Sequence, residues 1–178
     1  MKKIYIIATS NSTWPSRIFR IATREKYAHI SIALDKKWKK VYSFGRKKLR
    51  WPLPGGFVIE DFDAICNFFK YSYCRVYELE ITAQQLYSLK TELKNNYIKN
   101  NDKYHYNLIG LPMVGINRAH HRKYHHTCSS FCAKVLIDTG IVNFKKDYSI
   151  IKPKDFFEIK NANLIYEGET LDFLKRNQ

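Results

Sequence analysis

The chain has 178 residues, 45% hydrophobic and 15% aromatic, enough for one domain with a sizeable core and too apolar for a disordered polymer. Its 31 basic and 16 acidic residues leave a net charge of +15, which attracts polyanions: nucleic acid, anionic lipid headgroups or acidic wall polymers. No helix-turn-helix, zinc-finger or RNA-binding aromatic motif accompanies that charge. No apolar run approaches the ~20 residues that span a bilayer.

Lys3 to Thr9 reads as a buried first strand. The run is too short for a signal peptide, and Ser10-Asn11-Ser12 ends it without a small-residue cleavage site. Pro15 opens a helix through Ala22, after a loop ending in Trp14. Tyr27-Ala28-His29-Ile30-Ser31-Ile32-Ala33-Leu34 alternates, with Ile30, Ile32 and Leu34 on one face and His29, Ser31 and Ala33 on the other. It forms a hairpin with Lys40 to Phe44, and the intervening Lys36-Lys37-Trp38-Lys39-Lys40 cluster reads as a solvated tip.

Gly45 to Gly56 is expected to be a basic loop stiffened by Pro52 and Pro54. Trp51 then either borders a cleft, contacting substrate, or belongs to a plain surface connector. Phe57 to Tyr73 reads as an irregular or helical cover, and Cys74 to Ile81 as another alternating strand. Thr82-Ala83-Gln84-Gln85 has the form of a capping box and opens a helix to about Asn100, with Leu86, Leu89, Leu93 and Tyr97 on one face.

In the segment Tyr104 to Ile116, Asn107 is placed to cap Leu108 onward, and Tyr106 either walls a cleft or fills the core. Arg118 to His126 is the most polar stretch, with four histidines near Cys128 and Cys132. Their spacing matches no zinc finger and the flanking cations oppose a metal, so neither metal nor cofactor is expected. A mobile basic loop ending in His126 is expected instead, assisting thiolate formation or binding an anionic substrate.

Phe131, Val135, Leu136 and Ile137 give a helical apolar stripe, which Gly140 ends. Thr127, Ser129 and Ser130 stand at its front, where side-chain oxygens cap orphan N–H groups. Cys128 therefore falls at a helix N-terminus, which favours thiolate over thiol and offers the N–H groups of Cys128 and Ser129 to an oxyanion. The alternative is a small core cysteine. His29, opening a half-buried strand, suits a general base for a thiol supplied from elsewhere. Pro153 to Phe157 reads as a helical turn, Leu164 to Tyr166 as a closing strand, and residues 170–178 as a loosely held tail. Cys66, Cys74, Cys128 and Cys132 form no paired-cysteine metal motif, and the expectation is a reduced, cytoplasmic protein.

Tyr27-Ala28-His29-Ile30-Ser31 followed by Thr127-Cys128-Ser129-Ser130-Phe131 resembles the circularly permuted branch of the NlpC-type papain-like cysteine peptidase superfamily. That branch includes the YiiX-like bacterial proteins and the lecithin:retinol acyltransferase group, and in it the histidine strand precedes the cysteine helix. Looser matches run through Tyr42-Ser43-Phe44-Gly45, Gly55-Gly56-Phe57 and Tyr104 to Gly110. The resemblance implies one α+β domain over residues 1–178, a permuted NlpC-type papain-like fold. Its antiparallel sheet of ~5 to 6 strands would pack against the cysteine helix and the Thr82 helix.

The resemblance also implies a thiol hydrolase in which Cys128 attacks an amide, peptide or ester carbonyl and His29 moves the proton. The substrate would be a small-molecule, peptide or lipid acyl compound. Relatives orient the histidine with a Glu or His on the neighbouring strand, where this chain has Ser43, or Tyr42 if the register slips by one. Acyl transfer on the same centre, an inactive centre, and a basic binding protein for nucleic acid or an anionic surface are the alternatives.

Overall fold

The computed structural model describes residues 1–11, 26–48, 51–68 and 72–176, and for Asn11 and residues 51–53 the backbone alone. The helix predicted from Pro15, with Trp14, lies outside the described residues. The strands are β1 (Lys2–Asn11), β2 (His29–Ala33), β3 (Val41–Lys48), β4 (Trp51–Glu60), β5 (Ser72–Ile81), the short β6 (His105–Tyr106) and β7 (His125–His126), and β8 (Ala162–Glu169). The helices are α1 (Phe62–Phe68), α2 (Ala83–Glu92), α3 (Gly110–Gly115), α4 (Cys128–Asp138) and α5 (Thr170–Arg176).

A six-stranded sheet runs in the order β4-β3-β2-β1-β5-β8, each neighbouring pair antiparallel, while β6 and β7 pair in parallel apart from it. The architecture is α+β, with α4 placed against β2 and β3. β1 is an interior strand, and its residues alternate between two cores. Ile4, Ile6 and Ala8 join Ile30, Ile32, Phe44, Phe131, Val135 and Leu136 in the larger one. Tyr5 and Ile7 join Trp38, Phe62, Cys66, Val76, Phe173 and Leu174 in the smaller, where α1 and α5 pack. Covering both faces explains why β1 is apolar without interruption from Ile4 to Ala8.

The capping box at Thr82 forms: its hydroxyl accepts the Gln85 N–H (3.0 Å), and its own N–H donates to Gln85 Oε1 (2.9 Å). α2 then widens into a π-helical turn, Leu93–Ile98, that keeps Leu93 and Tyr97 buried beside Leu89. Asn107 Oδ1 accepts the Gly110 N–H at 3.0 Å, bracing the turn before α3, whose own N-cap position is Ile109 with no side-chain cap.

Three expectations are corrected. The predicted loop Gly45 to Gly56 is a β-hairpin, β3 pairing with β4 from Val41↔Glu60 to Lys48↔Trp51. Pro52 and Pro54 are tolerated because β4 is the sheet's edge, where a missing N–H costs no ladder bond. The lysine-rich tip is not wholly solvated: Trp38 turns inward at φ 55°, its ring 5.1 Å from Tyr5 and 5.0 Å from Phe173, and its carbonyl accepts the Phe62 N–H (3.0 Å). The predicted loose tail folds as α5 up to Arg176, because Thr170, Phe173 and Leu174 complete the smaller core. Thr170 Oγ1 contacts Ser72 Oγ and donates to the Ser72 carbonyl (3.0 Å). Phe173→Ala, which empties a site between Trp38, Phe62 and Tyr166, is expected to lower unfolding free energy by about 3 kcal/mol or more in denaturant titration.

Candidate active site

Cys128 is the first residue of α4. The Thr127 hydroxyl accepts the Ser130 N–H (3.1 Å), and the Thr127 N–H donates to Ser130 Oγ (2.8 Å). This reciprocal cap satisfies the third N–H of the helix and leaves those of Cys128 and Ser129 at its open end. Gly140 at φ +65° closes the other end, donating to the Ile137 carbonyl at 2.9 Å. Phe131, Cys132, Val135 and Leu136 are fully buried, so the helix is held rigidly behind its cysteine.

The Cys128 residue is only 2% exposed, yet its sulfur is surrounded by polar groups. The His29 ring and the Ile30 backbone both act on it, favouring its charged form. The Ala28 carbonyl and Ser129 Oγ each lie 3.9 Å away. His29, 27% exposed at its side chain, opens β2, so the thiol meets the imidazole where the strand begins. On the far nitrogen, Nε2, stand Ser43 Oγ at 3.2 Å and Glu60 Oε2 at 3.6 Å. The Ser43 hydroxyl donates to the Ile30 carbonyl (2.7 Å), so it offers His29 a lone pair. Tyr42, the alternative partner, lies in the larger core instead, paired with Ile32.

Electrostatics follow from this packing. Burial works against a charged His29, but its bonds to Cys128 and Glu60 outweigh that and push the ring's pKa up to about 10. Burial likewise favours the neutral thiol at Cys128, but His29 and the Ile30 N–H prevail and lower its pKa. The pair is thereby biased toward thiolate and imidazolium. Burial pushes Cys66 up to about 12 and raises Cys74 and Cys132 as well, so they stay neutral thiols.

Tyr106 reaches the same point. Its buried hydroxyl is kept protonated, first by burial and then by the Cys128 sulfur. Gly55 permits the approach: a Cβ there would come 2.9 Å from Tyr106 Cβ and 3.1 Å from the Gly45 carbonyl.

Cys128, His29, Ser43 and Tyr106 are thus brought together, with the Ser129 N–H beside them. His126 is not. Its ring lies among Phe44, Tyr97, Tyr104 and Tyr148, with centroids 5.2 to 6.2 Å away. Burial first, then Lys134 and His125, lower its pKa to about 4. It is neutral at pH 7 and supplies no positive field to the thiolate. Its buried Nδ1 finds no partner among the described residues. Trp51 takes part in β4, but its side chain lies outside the described residues.

Glu60 is the residue the sequence reading missed. Ser43 is paired with Val58, and Glu60 lies two residues further along β4, on the same side of the hairpin. That relation is visible only once Gly45 to Gly56 is read as paired strands.

With iodoacetamide at neutral pH, peptide mapping is expected to find Cys128 alkylated and Cys66, Cys74 and Cys132 unmodified. His29→Ala should remove that preference. No protein-family model matches this chain, and no curated protein matches it in sequence.

Proposed function

We propose that the chain is a thiol hydrolase acting on an amide, peptide or ester carbonyl through an acyl-enzyme on Cys128. The observation that carries this reading is the meeting of Cys128 with the start of β2 at His29, its sulfur 3.9 Å from the Ala28 carbonyl, with Ser43 and Glu60 on the ring. The order of its motifs, histidine strand before cysteine helix, supports a permuted NlpC-type papain-like fold.

In this reading the Cys128 thiolate attacks the carbonyl carbon. The oxyanion takes hydrogen bonds from the Cys128 and Ser129 N–H groups and from the Tyr106 hydroxyl. Nε2 of His29 is engaged by Ser43 and Glu60, so Nδ1 serves the sulfur and then protonates the leaving nitrogen or oxygen. A water, deprotonated by the same ring, attacks the thioester, and the thiolate departs. An alcohol or amine in place of that water would make the product a transferred acyl group. The four cysteines are free and buried, which suits a reducing, cytoplasmic setting. No helix among the described residues is long and apolar enough to cross a membrane.

A short-chain p-nitrophenyl ester is expected to leave an acyl adduct on Cys128, read by intact mass, with none in Cys128→Ala. An adduct that survives that substitution, or none at all with activated esters, would refute the proposal. The rate should rise as pH climbs through the lowered Cys128 pKa and fall as His29 loses its proton near 10. Tyr106→Phe should lower kcat by about 10²-fold, as loss of one oxyanion donor does.

A further inference from the structure

Between β6 and β7 the chain makes an excursion whose apolar side chains face outward. Leu108 is 49% exposed, Ile109 54% and Ile116 67%, and α3 within it buries only Gly110 and Val114. At Asn117 the backbone turns through φ 57°, and Arg118, Arg122 and Lys123 follow, all exposed. Among the described residues these three cations form no ion pair with a carboxylate. Nearby Asp147 is engaged by His121 at 3.1 Å, and Asp138 by Lys134 at 2.9 Å.

Three aliphatic side chains beside three cations match one kind of partner better than others. Nucleic acid rewards cations and stacking aromatic rings, and Leu and Ile offer a base nothing to stack on. A second copy of the chain would bring the same cations, on a protein of charge +15, face to face. A bilayer carrying anionic headgroups takes both features at once.

We propose that residues 108–123 dock the protein on an anionic lipid surface. Leu108, Ile109 and Ile116 enter the boundary between headgroups and acyl chains, and Arg118, Arg122 and Lys123 meet the phosphates. The two ends of the excursion place that surface next to the cysteine centre. Tyr106, whose buried hydroxyl is influenced by the sulfur, precedes it, and His126 leads from it directly into the Thr127 cap. Docking does not depend on turnover, so it is tested apart from catalysis.

The full chain carrying Cys128→Ala is sedimented with vesicles of phosphatidylcholine alone and of equal parts phosphatidylcholine and phosphatidylglycerol. Binding is expected to the anionic vesicles only and to weaken with salt. Ile109→Asp with Ile116→Asp, and separately Arg118→Glu with Arg122→Glu, should each weaken it about tenfold or more, the second being the scale expected for two cations at an anionic leaflet. Lys37→Glu with Lys40→Glu, the same charge change in the exposed β2–β3 turn, should leave binding within about twofold. Should the aspartate pair unfold the protein, Ile116→Trp serves instead, its added emission shifting to the blue on anionic vesicles only. Absence of vesicle binding, an unshifted emission, or aspartate variants that fold and bind like the parent would each overturn the proposal. So would duplex RNA binding, without vesicle binding, that is indifferent to the aspartate pair.

Discussion

A sulfur and an imidazole nearly a hundred positions apart in the chain meet at the start of β2, and the centre is arranged around keeping them in reach. The sulfur is fixed from behind by a capped helix whose first two turns are buried. The imidazole is fixed by being the first residue of a strand next to interior β1. The partner groups come from the β3–β4 hairpin, whose far strand carries Glu60 back beneath the ring. Loss of any of these three supports would leave two titratable side chains with nothing to set their distance.

The balance of charge at that contact is narrow. Burial favours a neutral pair and the hydrogen bonds favour an ionic one, and the bonds win because both partners are satisfied on more than one side. Cys132, one turn along the same helix, shows the contrast. It is equally buried, it points its thiol at the Ile30 carbonyl (3.6 Å), and no imidazole faces it, so it remains a thiol. Position at the helix end matters less than the histidine opposite it.

Glu60 also stands out against the charge of the rest of the molecule. Other buried or half-buried carboxylates are held by cations and phenols: Glu78 by Lys3 and Tyr5, Glu167 by Arg75 and Tyr27. Glu60 faces a histidine, with Arg46 also in its field, and so stabilises imidazolium where Ser43, uncharged, only orients it. The serine and the carboxylate divide between them a task that a single side chain could perform.

Much of this was legible in the sequence. Strict alternation in His29 to Leu34 marked a strand with one apolar side, and the Ser/Thr cluster before Phe131 marked a helix start, because period and cap chemistry are local properties. Those two patterns made Cys128 and His29 candidates, and the resemblance in motif order paired them and pointed to the position of Ser43. What tertiary structure decided is everything that depends on pairing at a distance. Pro52, Pro54 and two glycines disguised an edge strand as a loop and so hid Glu60. Phe173 and Leu174 made a polar-looking tail part of a core that did not exist until β1, Trp38 and α1 enclosed it. His126 looked like a cation beside a thiolate, but burial among aromatic rings leaves it neutral. Local chemistry settles what each residue is able to do, whereas burial and register, which only the folded chain possesses, settle which partner it meets and in what charge state.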